Sequence, residues 1–210
     1  DIRIFGENGQ ELGPNEEGYV VIKLPLPPGT LLDLWKDNER FKAGYLNKFP
    51  GYYFSGDGGF KDNDDYIFIT GRVDDVINVA GHRLSTAEME EIVAYHHSVA
   101  ECAVIGINDE LKGQIPLALV VAKSGEDIEH FQLQHEVVHL VREQIGSVAS
   151  LRDVVVVNRL PKTRSGKILR KMMRSIADGE QFQIPSTIDD EAIIDEIREV
   201  LEHAKIGCFK

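Results

Sequence analysis

The feature that most constrains this sequence is a change in residue pattern near Asp74. Before it, the stretches "DIRIFGENGQELG", "EGYVVIKL" and "DNDDYIFITGR" predict strands separated by polar turns. After it, "STAEMEEIVAYH" has apolar residues at helical spacing, and Ser85 with Glu88 forms a capping box. The change therefore predicts an α+β chain, with a mainly β section before it and a short mixed sheet packed by helices after it.

The second section alternates strand and helix patterns. The apolar runs "ECAVIGI" and "IPLALVVA" predict strands, and an amphipathic run from about His130 to Ile145 predicts a helix. We expect a further strand in "LRDVVVVNRL" and a helix that begins near Lys167. Residues 181–210 form an acidic tail, in which we expect an amphipathic helix with its charges in solvent.

Charge and cysteine content limit the partners of the chain. It has 210 residues, with 23 Lys and Arg against 35 Asp and Glu, and its net charge of -12 disfavours binding to nucleic acid or anionic membranes. Its apolar runs are shorter than the ~20 residues of a membrane span. Cys102 and Cys208 lie far apart, outside any metal-ligand spacing, which favours a reducing compartment. Because the sequence begins at Asp1, we expect a soluble piece of a longer protein.

One basic stretch interrupts this acidic chain. Together with Arg159, the run "PKTRSGKILRKMMR" at residues 161–174 contains seven cationic side chains and no acid, so we expect it to face a negative partner. Its proline and glycine disfavour a helix before Lys167 and predict a mobile loop that presents this lysine at the first turn of the next helix. An ammonium beside Ser165 suits charge on phosphate oxygens. The run lacks the glycine that a Walker loop requires at position 161 and the aromatic residues typical of nucleic-acid binding.

Three further side chains are candidates for nucleotide contacts. In "YYFSGDGGF", Asp57 lies among glycines, and its carboxylate could accept hydrogen bonds from both hydroxyls of a ribose diol. The alternative is a hairpin turn in which Asp57 caps its own backbone. Arg72 and Arg83 could bind ribose or phosphate oxygens through fork-shaped hydrogen bonds. They could equally form surface ion pairs with Asp74 or Asp75.

Two histidines on the helix predicted from about His130 to Ile145 have a spacing seen in metal sites. His135 and His139 are four residues apart in the stretch HEVVH, but neither a second cluster nor a third ligand is evident. We therefore interpret both as surface residues. Arg142, near the end of the same helix, has no assigned role on the basis of spacing alone.

Read together, three motifs carry a family resemblance. "SGDGG", "ITGRVDDVINVAGHRLSTAEME" and "PKTRSGKILR", in this order, resemble the acyl-adenylate-forming enzymes, specifically the short-chain acyl-CoA synthetases related to acetyl-CoA synthetase. The resemblance extends to about Gly179. It implies that residues 1–73 end a large N-terminal adenylation domain, that residues 74–180 form a mobile C-terminal domain, and that Asp74 is the hinge. The implied reaction converts a carboxylic acid, acetate or propionate, with ATP and CoA into acyl-CoA, AMP and pyrophosphate through acyl-AMP.

The resemblance also implies roles for individual residues. Lys167 matches the adenylation lysine, which bridges acyl and phosphate oxygens. Gly81 matches the position where the pantetheine arm of CoA passes, and Arg142 matches an arginine that meets CoA phosphate. The positions that match contacts to ATP or AMP are Asp57, Arg72 and Arg83.

A magnesium site is implied with a departure from the family pattern. His96, with the backbone of Ala94 and Val99, matches a region where the short-chain branch binds Mg²⁺. The usual proline after this histidine is replaced here by His97.

The resemblance places several functional parts outside this sequence. The phosphate loop, the adenine segment and the acyl pocket of the family lie earlier than Asp1. The resemblance therefore implies that this chain works with the missing N-terminal domain of the same enzyme. We expect the isolated chain to be inactive. Two alternatives stay open: an adenylation domain that loads a carrier protein, and a non-catalytic anion-binding or interaction module. The resemblance is closest to the animal mitochondrial branch, which implies the mitochondrial matrix rather than the cytosol.

Overall fold

The chain folds as two compact units. A computed structural model describes residues 1–125 and 128–210. These residues divide into a first unit, Asp1–Asp74, and a second unit, Asp75–Lys210. Within the described ranges, no helix is both long and apolar enough to cross a membrane.

The first unit is a four-stranded antiparallel sheet with one helix. Its strand order is β1-β2-β3-β4, and the unit contains a small aromatic core built around Phe5, Tyr19, Val21 and Phe49. Helix α1 lies between β2 and β3 in sequence, and the Asp37 side chain caps it by accepting a hydrogen bond from the Arg40 amide. The mainly β character expected from the sequence is confirmed. The element bounds are β1 Ile2–Phe5, β2 Gly18–Lys23, α1 Asn38–Tyr45, β3 Tyr52–Lys61 and β4 Ile67–Arg72.

The stretch around Asp57 is a strand and not a hairpin turn. It lies inside β3, where the register shifts between Gly58 and Gly59 opposite β4. Such a shift is typical of a β-bulge, which glycine accommodates easily. The alternative of a turn that Asp57 caps is therefore wrong.

The second unit contains a mixed sheet between helices. The order is β6-β5-β8-β7, and β9 pairs with β8 in parallel while the other pairings are antiparallel. This confirms the α+β class and the short mixed sheet predicted from the sequence. The strands are β5 Val76–Val79, β6 His82–Ser85, β7 Val99–Asp109, β8 Gly113–Ala122 and β9 Asp153–Val156. The helices are α2 Thr86–Ala94, α3 His130–Ile145, α4 Arg170–Asp178 and α5 Ile193–Ala204.

Strands β7 and β8 are buried on both faces because helices pack against each side of the sheet. Successive side chains of a strand point to opposite sides, so each strand contributes to both cores. One face packs against α4 and α5 through Ile105, Ile107, Leu117, Leu119, Met173, Ile176, Ile197 and Leu201. The other face packs against α2 and α3 through Val104, Ala118, Val120, Met89, Val93, Leu133, Val137 and Val141. Full burial of each large side chain contributes about 1.5–3 kcal/mol.

Local signals in the sequence locate two of the helices. Helix α3 has the predicted bounds and ends at Gly146, whose φ is 96°. Helix α2 begins after Ser85, whose Oγ accepts a hydrogen bond from the Glu88 amide at 3.3 Å. Both observations agree with the apolar spacing and the capping pattern.

The basic stretch required a correction. Helix α4 begins at Arg170 and not near Lys167, so Lys167 does not lie in its first turn. The residues before the helix pair with each other as a short hairpin. The acidic tail contains α5, whose Ile197 and Leu201 are buried in the core of the second unit. Its acidic side chains Asp195, Glu199 and Glu202 are exposed, as the amphipathic pattern predicts.

Candidate functional site

Lys167 lies on a hydrogen-bonded hairpin that spans residues 161–169. The Thr163 amide donates to the Lys167 carbonyl at 2.9 Å, and the Gly166 amide donates to the Thr163 carbonyl at 2.8 Å. Gly166 has a φ of 84°, which places it in the left-handed region that closes a three-residue hairpin loop. The Lys167 amide donates to Thr163 Oγ1 at 3.1 Å, so the turn fixes the backbone that carries the lysine.

Residues 187–189 add a strand-like segment to this hairpin. Thr163 forms a β-bridge with Ile188, and the Arg164 amide donates to the Thr187 carbonyl at 2.9 Å. On the same side, the Asp189 amide donates to the Lys162 carbonyl at 3.0 Å. Ile188 is only 4% exposed, so its side chain anchors the segment in the core. No local pattern predicts this pairing, because it joins residues far apart in the chain.

The seven cations of the basic stretch do not act as one group. Arg159 pairs with Asp190 and Glu196, and Lys162 pairs with Glu101 at 2.6 Å. A further pair joins Arg170 and Glu90 at 2.7 Å. The negative partners of Arg159, Lys162 and Arg170 are therefore carboxylates of the same unit and not a bound anion.

Three exposed cations of the stretch remain available to a ligand. Within residues 1–125 and 128–210, no ion pair or side-chain hydrogen bond engages the charged groups of Arg164, Lys167 or Lys171. All three side chains are exposed. The hairpin thus presents the Lys167 ammonium to solvent on a backbone whose position is fixed.

Asp57 and Arg72 are adjacent in the first unit. They are register partners on β3 and β4, and the Arg72 guanidinium lies 3.4 Å from the Asp57 carboxylate. Arg72 also donates to the Ser55 carbonyl at 3.2 Å and to Asp74 at 3.1 Å. A Cβ at Gly56 would lie 2.7 Å from the guanidinium, and the φ of 81° at this position favours glycine.

The environment of Arg72 holds it charged. Burial acts to lower the pKa of Arg72, but the carboxylates of Asp74 and Asp57 outweigh it, and the pKa is raised. The side chains of Arg72 and Asp57 are 51% and 34% exposed, so both can reach a ligand in solvent. A carboxylate that accepts and a guanidinium that donates could together bind a diol. The ion pair with Asp74 is the alternative that the sequence left open, and the geometry is compatible with both.

Gly81 and Arg83 lie on the hairpin that joins β5 to β6. Ala80 and Gly81 have φ values of 48° and 89°, which is the geometry of a two-residue type I′ turn. An added Cβ at Gly81 would meet no atom within 4 Å, so the space beside it is open. Arg83 is exposed, and it lies opposite Asn78 in the strand register.

Helix α3 presents Arg142 and the two spaced histidines to solvent. Arg142 is in the last turn and exposed. His135 is exposed, and His139 lies 3.4 Å from Glu143 and is 70% exposed. Among the described residues, no three His, Cys, Asp or Glu side chains are grouped to hold a metal ion.

His96 is a buried and fully engaged side chain. It is 8% exposed, and its Nε2 lies 2.8 Å from a Glu136 oxygen while its Nδ1 accepts the Ser98 amide at 3.2 Å. Because Nδ1 accepts, Nε2 carries the proton in the neutral ring. The His96 carbonyl accepts the Val99 amide at 3.0 Å. The ring would therefore have to give up a hydrogen bond to ligate Mg²⁺, and it does not fit a metal ligand in this arrangement.

Comparison with known proteins agrees with the motifs. Residues 88–167 match the family described as AMP-binding enzyme C-terminal domain. Over nearly its whole length, the chain is homologous to short-chain acyl-CoA synthetases. It is 47% identical to the mitochondrial acyl-CoA synthetase short-chain family member 3 of Mus musculus, over 97% of this chain and 30% of the relative.

Further relatives support the same assignment. The chain is 40% identical to acetyl-coenzyme A synthetase of Pyrobaculum arsenaticum, over 98% of this chain and 30% of the relative. An uncharacterized protein of Pseudomonas aeruginosa is 57% identical, over 98% of this chain and 33% of the relative. The chain thus spans about one third of the length of these curated relatives.

Solved structures show the same fold. The structure of an amide bond synthetase from Marinactinospora thermotolerans has a TM-score of 0.66 and 28% identity, over 83% of this chain and 34% of that chain. The ATP-bound MatB from Rhodopseudomonas palustris has a TM-score of 0.68 and 26% identity, over 83% of this chain and 33% of that chain.

Proposed function

We propose that this chain is the C-terminal part of an ATP-dependent short-chain acyl-CoA synthetase, an AMP-forming acid–CoA ligase. The observation that carries the proposal is the exposed Lys167 ammonium on a fixed hairpin, at the end of a segment that matches the AMP-binding enzyme C-terminal domain. The identities to short-chain acyl-CoA synthetases support the CoA-using reaction over the loading of a carrier protein.

In the first half-reaction, a carboxylate oxygen of the acid attacks the α-phosphate of ATP. The new bond gives acyl-AMP, and the bond to the β-phosphate breaks to release pyrophosphate. Negative charge that develops on the oxygens between acid and phosphate would be stabilised by the Lys167 ammonium. Because this lysine has no ion-pair partner among the described residues, no internal salt bridge must break before it binds the anion.

Three side chains that the resemblance singles out would position the nucleotide. Asp57 and Arg72 would bind the ribose hydroxyls, since their carboxylate and guanidinium are adjacent and accessible. Arg83 would bind the nucleotide phosphates through its five N–H donors. Orientation of the reactants by such contacts would lower the activation barrier by several kcal/mol.

In the second half-reaction, the CoA thiol attacks the acyl carbon and displaces AMP. The pantetheine arm would pass the open space beside Gly81, and Arg142 would bind a CoA phosphate. A hinge at Asp74, next to the boundary between the two units, would allow different faces of the second unit to serve the two steps. Mg²⁺ would accompany ATP as a co-substrate, and we assign no step to the His96 ring.

The substrate is proposed as acetate or propionate. The printed names of the relatives, short-chain acyl-CoA synthetase and acetyl-coenzyme A synthetase, support this range. A panel of C2 to C6 acids assayed with the complete protein would rank them. A mitochondrial location is supported by the relatives named mitochondrial, whereas the higher identity to the Pseudomonas aeruginosa protein supports a bacterial setting.

The test is a single substitution in the complete synthetase. Lys167→Ala should lower acyl-AMP formation, measured as pyrophosphate release, by at least about 100-fold while CoA attack on preformed acyl-AMP changes little. Lys123→Ala is the matched control, because Lys123 is also exposed in the second unit. Equal losses in both half-reactions would refute the role of Lys167. The isolated chain should form no acyl-CoA, and robust turnover by it would show that the active site lies within these residues.

A further inference from the structure

A largely buried ion pair lies three residues after Lys167. Arg170, the first residue of α4, donates from Nε and from its terminal nitrogen to the two carboxylate oxygens of Glu90, at 2.9 and 2.7 Å. The side chains of Arg170 and Glu90 are only 25% and 16% exposed. A two-point arginine–carboxylate contact of this kind fixes orientation as well as distance.

Glu90 connects three elements of the second unit. It is on α2, and the same oxygen that accepts Arg170 Nε also accepts the Val104 amide in β7 at 2.8 Å. The Glu90 hydrogen bonds act against burial and raise the pKa of Arg170. The start of α4 is therefore attached to α2 and to the central sheet through one carboxylate.

The other end of the hairpin is attached to the same strand. Lys162 pairs with Glu101 on β7 at 2.6 Å. Helix α4 has no side-chain hydrogen bond at its N-terminal cap, so its first turn depends on tertiary contacts for its position. The hairpin that carries Lys167 is thus held on one side by Lys162 and on the other by Arg170.

We propose that Glu90 is a positioning residue for Lys167, acting through Arg170. The inference rests on the proposed function, because it assigns Glu90 to the adenylation half-reaction. Loss of the two-point contact should let the start of α4, and with it the lysine, depart from the geometry that the reaction needs. A displacement of about 1 Å can lower a rate by about 100-fold.

A purely structural ion pair would behave differently. Buried ion pairs contribute little net stability compared with well-packed apolar side chains, so stability alone is a weak reason for this contact. A structural role would lower the folded fraction and affect both half-reactions to the same extent. A positioning role would affect the adenylation step selectively in folded enzyme.

Two variants test the proposal in the complete synthetase. Glu90→Gln keeps an oxygen for the Val104 amide and removes the charge that holds Arg170. Arg170→Lys keeps the positive charge and removes the two-point geometry. The control is Arg198→Lys, because Arg198 forms an exposed ion pair with Asp195 on α5 of the same unit.

We expect both variants to lower the kcat of acyl-AMP formation about 10-fold to 100-fold, with CoA attack on preformed acyl-AMP within about twofold of the parent. The control should leave both steps unchanged. Equal rates of acyl-AMP formation in parent and variants, or equal losses in both steps, would overturn the proposal.

A second measurement separates this proposal from the proposed function. In the 210-residue chain, hydrogen exchange of the amides in residues 163–169 should be about tenfold faster in either variant than in the Arg198→Lys control. Unchanged exchange there would contradict the positioning role whatever reaction the protein catalyses. Lys167→Ala could leave adenylation intact while Glu90→Gln and Arg170→Lys increase exchange in residues 163–169. In that case the proposed function would fail, and the link from Glu90 through Arg170 to the hairpin would stand.

Discussion

The amide of Asp189 donates a hydrogen bond to the carbonyl of Lys162 across 3.0 Å, which attaches the acidic tail to the Lys167 hairpin. Ile188, the preceding residue, inserts its side chain into the core of the second unit. The tail is therefore part of the framework around the lysine and not a separate appendage. This segment lies beyond residues 88–167, which match the C-terminal domain family.

Ile188→Ala should destabilise the second unit by about 2–5 kcal/mol, because it leaves a cavity beside the hairpin. Ile184→Ala is the matched control in the same segment, since Ile184 is 46% exposed, and it should change stability by less than about 0.5 kcal/mol. Urea unfolding of the second unit, followed by hydrogen exchange of its peptides, measures both. Equal effects of the two changes would show that the tail does not anchor the hairpin.

Gly81→Leu should slow CoA attack on acyl-AMP about tenfold or more, because the side chain would fill the space proposed for pantetheine. Gly125→Leu is the control for backbone strain, since the φ values are 89° at Gly81 and 87° at Gly125. Each change should cost about 1–2 kcal/mol of stability. If both variants lost the same activity, strain and not a blocked passage would explain the result.

Arg142→Ala should raise the apparent KM for CoA about tenfold or more, because a charge-assisted hydrogen bond to phosphate is lost. The KM for ATP should not change. Arg152→Ala removes another exposed arginine of the second unit and should change neither constant. An unaltered dependence on CoA in the Arg142 variant would remove this residue from the site.

The two cysteines should react with thiol reagents at very different rates. Burial and the charge of Glu90 raise the pKa of Cys102 to about 11, so at pH 8 only about one molecule in 1,000 carries its thiolate. Cys208 is exposed. Mass spectrometry after brief alkylation of the native chain at pH 8 should find the label on Cys208, and labelling of Cys102 should accelerate as the pH rises toward its pKa. Equal labelling at pH 8 would contradict the buried environment of Cys102.

The sequence predicted those parts of the fold that depend on local pattern. The bounds of α3 follow from apolar spacing that a single helix face must bury, and α2 begins where Ser85 can cap it. Strand β3 was missed because its glycines are typical of turns and its residues show no alternation of buried and exposed positions. The start of α4 was placed too early, because the residues before Arg170 satisfy their backbone hydrogen bonds in a hairpin.

The candidate site could be predicted only as a set of residue types. The register that places Arg72 beside Asp57 requires the paired strands β3 and β4, of which the sequence indicated one. The partners of the basic stretch were not predictable, since Glu90 is 80 residues from Arg170 and Glu101 is 61 from Lys162. The roles of Asp57, Arg72, Arg83, Gly81, Arg142, Lys167 and Asp74 stay predictions. The experiments above address those of Gly81, Arg142 and Lys167.

The attachments of the hairpin to the rest of the second unit determine how its lysine can move. Peeling the loop away alone would break the bridge to Ile188 and the contacts of Lys162 and Arg170 at the same time. Any displacement of the lysine relative to the rest of the second unit must therefore break these contacts. If the second unit turns as proposed, Lys167 moves together with residues 75–210 and not independently of them.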